Sequence, residues 1–289
     1  MSAAGGSIGN PGDGFRTGVD AAVGPLSTSE RHQVQFVGAG PGAADLLTLR
    51  AARLLAEADT VLYPGTYLDP EILENCSPTA TLVDTQDLDL DAIISCIVAA
   101  QQSGQRVVRL VSGDPTIYSA VFEQTRRLDA AAVPWSVTPG VPAYAAAAAR
   151  VGRELTVPLV AQSVVLTRTQ QRSTAMPDTE SLAAFAATQA TLVLHLAITR
   201  TRELMAELAP SYGSNCPVVV VYRASQPQEL VLRGTVADIA DQVEAAGLRQ
   251  AAVILVGRAL AERPDTCAGD SHLYDPLRDR TTKQVGGRT

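Results

Sequence analysis

The sequence predicts an α/β protein of two α/β domains, the first with a mainly parallel sheet and the second with a mixed sheet. Short apolar runs rich in β-branched residues alternate with amphipathic segments of helical period, which is typical of strand–helix repeats. The 289 residues suffice for one large or two medium domains, and the hydrophobic content of 46% is that of a globular protein. We expect the active site in a cleft between the two domains.

The predicted domain boundaries follow changes in composition. Residues 1–31 are rich in Gly, Ser, Ala and Pro without periodicity, so we expect a disordered amino-terminal tail. An amino-terminal α/β domain then spans 32–157 and a carboxy-terminal one spans 158–262. A polar tail at 263–289 ends the chain.

Elements of the first domain alternate regularly. Apolar runs predict strands at 34–37, 60–63, 81–84, 107–111 and 134–137. Helical spacing predicts helices at 46–55, 71–75, 89–103, 119–128 and 143–149. A strand before nearly every helix predicts parallel crossovers.

The second domain repeats the alternation with one exception. Strands are predicted at 164–167, 191–197, 217–222 and 252–256, and helices at 181–187, 199–209 and 235–246. Residues 226–234 suggest a hairpin with Gly234 as its turn. Because strands outnumber crossover helices there, the second sheet should be mixed.

Composition excludes several function classes. A formal charge of −7 and an aromatic content of 4% argue against binding to nucleic acid. Neither the four cysteines nor the three histidines cluster, so a disulfide framework and a metal site are not expected: Cys76, Cys96, Cys216, Cys267, His32, His195, His272. Without a signal-peptide pattern or an apolar run of membrane-spanning length, a cytoplasmic protein is predicted.

The first glycine turn follows the strand at 34–37. Gly38, Gly40 and Ala43 satisfy the dinucleotide fingerprint GxGxxG/A, so a nicotinamide-dependent oxidoreductase is one hypothesis. Pro41 and Gly42 count against it, because they put a rigid turn where a helix should open toward a pyrophosphate. The acidic residue expected after the second strand is also missing, since that run ends in Tyr63-Pro64-Gly65.

The segment RLVSGDPTIYS at 109–119 carries the strongest signal. A buried strand that ends in Gly113-Asp114-Pro115 places bare backbone and one carboxylate at its carboxyl end, where open α/β sheets bind ligands. An ordinary β-turn would use the same residue types. A third such turn, TPGVP, precedes the alanine-rich helix.

These segments together resemble the tetrapyrrole methyltransferase family over about residues 33–260. The resemblance lies in the segments VQFVGAGPGAADLLTLRAARLLAEADTVLY, LVSGDPTIYSA, VTPGVPAYAAAAA, TLVLHLAI and AAVILVGRAL. Within the family, YPGTYLDPEIL, DLDLDAI and SHLYDP most resemble the branch that methylates precorrin-4, or cobalt-precorrin-4, at C11 in cobalamin biosynthesis. The resemblance implies S-adenosylmethionine (SAM) as methyl donor, a tetrapyrrole acceptor and a homodimer.

The resemblance also implies a cofactor site. SAM is expected at the Gly113-Asp114-Pro115 loop, with Asp114 as the carboxylate nearest its amino acid part and Pro41 facing the cofactor or substrate. The remaining cofactor residues are expected beside the loop or through their backbones: Ile117, Tyr118, Pro142, Ala143, Leu196, Ala224, Ala252. Methyl transfer needs alignment and a dry site more than a strong acid or base, so no catalytic residue is assigned, and Tyr118 and Tyr63 are the candidates.

The acceptor bears many carboxylates, which arginine binds in a bidentate manner. Every basic residue except Lys283 and the histidines is arginine, and Arg109, Arg168 and Arg223 are candidates at the rim from their places near strand ends, beside Tyr63. His195 lies on a strand and is interpreted as a core residue rather than a base. Other hypotheses are methylation of uroporphyrinogen III, precorrin-2 or precorrin-3, and a carrier that binds a tetrapyrrole without reaction.

Overall fold

The computed structural model describes residues 32–65, 68–169, 175–261, 271–275 and 277–278. The predicted tail at 1–31 lies outside these residues, as does most of the one at 263–289. By their contacts the described residues form two units, of which the first comprises those up to Ala146 together with Arg223–Gln228. The change of unit thus falls earlier in the chain than the boundary expected at 157.

The first unit is built on a parallel sheet of five strands. Its strands are β1 (Val34–Gly38), β2 (Thr60–Tyr63), β3 (Thr81–Asp84), β4 (Val107–Val111) and β5 (Trp135–Thr138). They lie in the order β3-β2-β4-β1-β5, and every neighbouring pair is parallel. The turns after β1, β4 and β5 therefore meet at one edge of the sheet, because these three strands are adjacent.

A helix follows each of these strands: α1 (Leu49–Glu57), α2 (Pro70–Leu73), α3 (Leu90–Gln102), α4 (Val121–Ala130) and α5 (Ala143–Val151). The Thr48 hydroxyl caps α1 by accepting a bond from the Ala51 N–H, and the Asp89 carboxylate caps α3 in the same way. Both faces of the sheet are covered by apolar clusters, one around Leu55 and Leu110, the other around Phe36 and Leu128.

The second unit is built on a mixed sheet. Its strands are β6 (Val164–Arg168), β7 (Thr191–His195), β8 (Pro217–Tyr222), β9 (Leu230–Thr235) and β10 (Ala252–Val256). In the order β6-β7-β10-β8-β9, only β6 and β7 are parallel. The fold class predicted from the sequence, with its parallel and mixed sheets, is confirmed.

The helices of the second unit are α6 (Leu182–Ala186), α7 (Thr201–Tyr212) and α8 (Ile239–Ala245). Leu204 and Leu208 of α7 and Ile239 of α8 enter one apolar cluster with strand residues such as Leu194 and Ile254. Helix α7 continues past the predicted end at 209 to Tyr212, with Pro210 inside its last turn.

The predicted turn at Gly234 is wrong. Gly234 lies inside β9 and pairs with Val218 of β8. A Cβ on Gly234 would lie 2.4 Å from Asp238 Oδ1, and that carboxylate accepts a bond from the Thr235 N–H. With glycine at this position, the Asp238 carboxylate can lie directly against the strand. Within the part of the chain that the structure describes, no helix is long and apolar enough to span a membrane.

Candidate cofactor and substrate site

The turns after β1 and β4 are joined by their backbones at the carboxyl edge of the first sheet. The Gly40 N–H donates to Gly113 O at 3.1 Å, and the Gly113 N–H donates back to Gly40 O at 2.8 Å. The sequence predicted each turn separately. The structure shows that the two glycine turns form one bonded unit.

The turn after β5 packs against both of them without side chains. A Cβ on Gly140 would lie 2.2 Å from Gly113 O, and a Cβ on Gly38 would lie 2.5 Å from Gly140 N. Real Cβ atoms essentially never lie so close to backbone atoms. Glycine at 38 and at 140 therefore allows the end of β1 and the turns after β4 and β5 to be in direct backbone contact.

The Asp114 carboxylate fastens these loops. Its Oδ2 accepts a bond from the Gly140 N–H at 2.9 Å, and its Oδ1 accepts from the Thr116 N–H at 2.8 Å and also from the Thr116 hydroxyl. Asp114 is buried, with 8% of its surface exposed. Three of the roughly four acceptor positions of a carboxylate are thus used inside the protein. Asp114 shapes the loop through its side chain.

Several predicted cofactor residues come together around Gly113. Gly113 has a left-handed φ of +68°, and a Cβ built on it would lie 3.9 Å from both Pro142 Cα and Ala143 N. The space over Gly113 is therefore bordered by the start of α5. Pro115, directly after Asp114, is buried, and Ile117 of the same loop is half-buried.

Tyr118 sits in an unusual backbone conformation at the end of this loop. Its φ is +52° and 47% of its surface is exposed, and Ala120 follows with a φ of +53°. Such angles are uncommon for residues other than glycine and persist where neighbouring bonds impose them. Here the Ser119 hydroxyl donates to Pro115 O, and Gln124 Nε2 donates to Ala120 O at 3.1 Å.

Pro41 is buried and is held by a segment from far along the chain. Gln226 Nε2 donates to Pro41 O at 3.1 Å, and the Ala43 N–H donates to Ser225 Oγ at 3.1 Å. These two residues directly follow the predicted contact Ala224, which is buried. Sequence reasoning missed both, because no local pattern distinguishes them from an ordinary polar turn.

The glycine turn does not have the geometry of a dinucleotide site. After Gly38, Gly40 and Ala43 the chain makes a 3-10 turn at Ala44–Leu46, and α1 begins only at Leu49. The N–H groups that start α1 are therefore separated from the turn, and Thr48 caps them. This geometry disfavours the oxidoreductase hypothesis.

The position expected for Arg109 is wrong. It is the middle residue of β4, 7% exposed, and not part of a rim. Its guanidinium donates to Gln124 Oε1 at 3.0 Å and to Thr85 Oγ1 at 3.1 Å. Burial lowers its pKa to about 10, because desolvation disfavours the charged form. All five residues of β4 are buried, so the pattern of the strand does not reveal from the sequence that Arg109 lies inside the domain.

Tyr63, Arg168 and Arg223 do lie at strand ends. Tyr63 ends β2 and is half-buried, and Arg168 ends β6, in register with His195 of β7. Arg223 follows β8 with a φ of +46°, and its Nη1 donates to Gln228 Oε1 at 3.1 Å. Tyr63 and Arg223 belong to the first unit by their contacts, whereas Arg168 belongs to the second.

The predicted residues of the second unit share one edge of its sheet. Ala252 begins β10 and pairs with Tyr222 at the end of β8, while Leu196 follows β7 with a φ of +54° and 67% exposure. His195 is half-buried, and desolvation lowers its pKa, which favours the neutral imidazole. Among the described residues no His, Cys, Asp and Glu cluster fits a metal ion.

Comparison with known proteins gives the same reading as the motifs. The family model of tetrapyrrole (corrin/porphyrin) methylases matches residues 33–240. The chain is 51% identical over 249 residues to the precorrin-4 C(11)-methyltransferase of Rhodococcus erythropolis, covering 86% of this chain and 99% of that relative.

Solved structures extend the likeness to the fold. A cobalamin biosynthetic enzyme, cobalt precorrin-4 methyltransferase, is 35% identical with a TM-score of 0.78, over 82% of this chain and 100% of that one. The uroporphyrin-III C-methyltransferase of Thermus thermophilus, complexed with S-adenosylhomocysteine, is 28% identical with a TM-score of 0.66, over 79% and 98%. The family predicted from the motifs is thus confirmed, and the chain belongs to the tetrapyrrole (corrin/porphyrin) methylases.

Proposed function

We propose that this protein is a SAM-dependent methyltransferase that methylates C11 of precorrin-4 in cobalamin biosynthesis. The observation that carries the proposal is the 51% identity to a precorrin-4 C(11)-methyltransferase along almost its whole length. We propose the metal-free acceptor, because the related structure named for cobalt precorrin-4 is less similar, at 35% identity. Methylation of uroporphyrinogen III is the second candidate, from the likeness to the Thermus thermophilus enzyme.

The first unit offers surroundings that fit SAM. Gly113 has no side chain beside Pro142 and Ala143, which a Cβ there would meet at 3.9 Å, and the loop backbone is held by Asp114 from within the protein. A cofactor can therefore approach the backbone of this turn without meeting a side chain at Gly113. We assign its remaining contacts to Pro115, Ile117 and Tyr118 on the same loop and to Pro41, Leu196, Ala224 and Ala252.

Methyl transfer from SAM depends more on alignment than on a strong acid or base. SAM supplies a methyl group on a sulfonium, whose charge is lost as the methyl leaves. The protein then has to align donor and acceptor and keep water out. We propose that two side chains touch the acceptor, those of Tyr118 and Tyr63. Tyr118 is half exposed and has a left-handed backbone conformation, and Tyr63 lies at the end of β2. Arg168 and Arg223 are proposed to bind its carboxylates.

The test is to locate the transferred carbon. The protein is incubated with purified precorrin-4 and SAM labelled with ¹³C in the methyl group, and the product is analysed by NMR. A new signal at C11 is expected. Label at another carbon would assign the enzyme to a different step, and no product with precorrin-4 but turnover of uroporphyrinogen III would favour the second candidate. Parallel assays with cobalt-precorrin-4 decide the metal.

Two further properties belong to the proposal. A homodimer is expected from the family resemblance, and analytical ultracentrifugation tests it. We also propose the cytoplasm as the compartment, where the thiols of Cys76, Cys96 and Cys216, which form no disulfide, stay reduced. Cell fractionation tests that assignment.

A further inference from the structure

Arg109 is a buried cation without an acidic counterpart among the described residues. It lies in the middle of β4, paired in register with Phe36 of β1, and 7% of its surface is exposed. Its three hydrogen bonds go to Gln124, Thr85 and Leu110 O, all of them neutral groups. Burying a charge without an opposite charge is costly, so the guanidinium is not there for stability alone.

On one side, the bonds of Arg109 lead to the end of β2. Its Nη1 donates to Thr85 Oγ1 at 3.1 Å, and the Thr85 hydroxyl donates to Tyr63 O at 2.9 Å. The Thr85 N–H donates to the same carbonyl at 2.9 Å. The backbone of Tyr63 is thus connected to the guanidinium through a single side chain.

On the other side, the bonds lead to the loop after β4. Arg109 Nε donates to Gln124 Oε1 at 3.0 Å, and Gln124 Nε2 donates to Ala120 O at 3.1 Å. Ala120 is the N-cap of α4, has a left-handed φ of +53° and makes no side-chain cap bond. Gln124 therefore stabilises the left-handed backbone conformation of Ala120, two residues after Tyr118.

From these contacts we propose that Arg109 is a positioning residue that fixes the backbone at Tyr63 and that of the Tyr118 loop relative to each other. The proposal rests on the proposed function, in which both tyrosines touch the acceptor. The planar guanidinium suits this role, since Nε and Nη1 donate in two fixed directions. A lysine carries the same charge on a flexible stem and lacks the rigid fork.

The first test separates positioning from folding. Arg109→Met and Arg109→Lys are compared with Arg53→Met, because Arg53 of α1 is equally buried at 7% exposure. Both Arg109 variants should lower kcat roughly 10- to 100-fold, as expected for a misplaced group at the acceptor. The KM for SAM should rise by a much smaller factor, because Asp114, not Arg109, supports the backbone at Gly113, and Tyr118 is one of several proposed SAM contacts. Arg53→Met should lose stability but keep kcat.

The second test asks whether the two branches act together. Thr85→Val and Gln124→Met each break the chain of bonds at one side of Arg109. If Arg109 couples them, the double variant loses little more kcat than the worse single one, and both changes have little effect in an Arg109→Met background. Independent, additive losses would overturn the proposal, as would full kcat in Arg109→Lys.

Amide hydrogen exchange tests the proposal without any assay of activity. In Arg109→Met, exchange should accelerate in peptides covering 63–65 and 117–121 but not in those covering 140–143. Unchanged exchange at both loops would overturn the positioning role. If wild-type protein fails to methylate precorrin-4 while these loops do respond, the proposed function is at fault and the coupling stands.

Discussion

Gln226 holds the first glycine turn by its amide, with Nε2 3.1 Å from Pro41 O. The same side chain passes over Gly42, since a Cβ on Gly42 would lie 2.2 Å from Gln226 Cγ. The turn needs its glycine because this side chain already occupies the space. The pair is separated by more than half of the chain, and neither residue reveals the other in the sequence.

Replacing Gly42 by alanine should therefore displace Gln226. We expect a loss of about 1–3 kcal/mol in the free energy of unfolding, from the contact and the broken bond to Pro41. Urea denaturation measures it. In a Gln226→Ala background the Gly42→Ala change should cost clearly less, because the obstructing side chain is gone. An equal cost in both backgrounds would contradict the contact.

Gly140→Ala should be far more damaging than an alanine at a glycine in open space. Its Cβ would meet the backbone oxygen of Gly113 at 2.2 Å, whereas a Cβ on Gly152 meets nothing within 4 Å. Gly152→Ala should cost about 1 kcal/mol, from its left-handed φ of +66° alone. Gly140→Ala should exceed about 4 kcal/mol or prevent folding. Comparable melting temperatures for the two variants would refute this.

Asp114→Asn should weaken both the loop and the proposed cofactor site. An amide nitrogen in place of one carboxylate oxygen would face the N–H of Gly140 or of Thr116, so one donor loses its acceptor. We expect a loss of about 1–3 kcal/mol in stability and weaker binding of S-adenosylhomocysteine in calorimetry. Asp129→Asn is the control, because Asp129 accepts a bond from Trp135 outside the site. Unchanged affinity in Asp114→Asn would remove Asp114 from the site.

Asp59 should make stability depend on pH in the acid range. Hydrogen bonds from Arg106 lower the pKa of the Asp59 carboxyl. A carboxyl whose pKa is lowered in the folded state adds to the free energy of unfolding. This contribution is fully present above the unfolded pKa of about 3.9, and it is lost as the pH falls through the folded pKa. Asp59→Asn should thus be less stable than wild type at pH 7, and the difference should shrink in acid.

The size of that effect is limited, because the Asp59 side chain is 41% exposed. Exposed ion pairs contribute at most about 1 kcal/mol. Urea unfolding of both proteins at neutral and acid pH measures the difference. A gap that grows as pH falls would have the wrong sign for this ion pair.

The sequence alone predicted the two sheets and the glycine turn after β4. The strand Val107–Val111 and the break at Gly113 are local signals, because burial and chain reversal each demand particular residue types within a few positions. Family motifs then joined segments that no local rule connects. The roles assigned to the site residues remain predictions.

Residues whose role depends on distant partners escaped sequence reasoning. Arg109 was expected at a rim, but its side chain is bonded to Gln124 and Thr85 inside the domain. Gly234 was predicted as a turn because glycine is a common turn residue, whereas it lies in β9 beside the Asp238 carboxylate. Ser225 and Gln226 gave no signal, since their partners are backbone atoms almost two hundred positions earlier. Tertiary context decides each of these cases.

Residues 223–228 belong to the first unit by their contacts, although the strands on either side of them belong to the second. This assignment limits how the protein can be divided. These residues lie between two strands of one sheet, yet by their contacts they complete the other unit. A gene fragment that stops at Ala146 would encode Pro41 and Gly42 without the amide that holds them. Exchange of one half for that of a relative would therefore succeed only if the β8–β9 loop travels with the amino-terminal half. An exchangeable amino-terminal unit of this chain therefore includes the β8–β9 loop and does not simply end at Ala146.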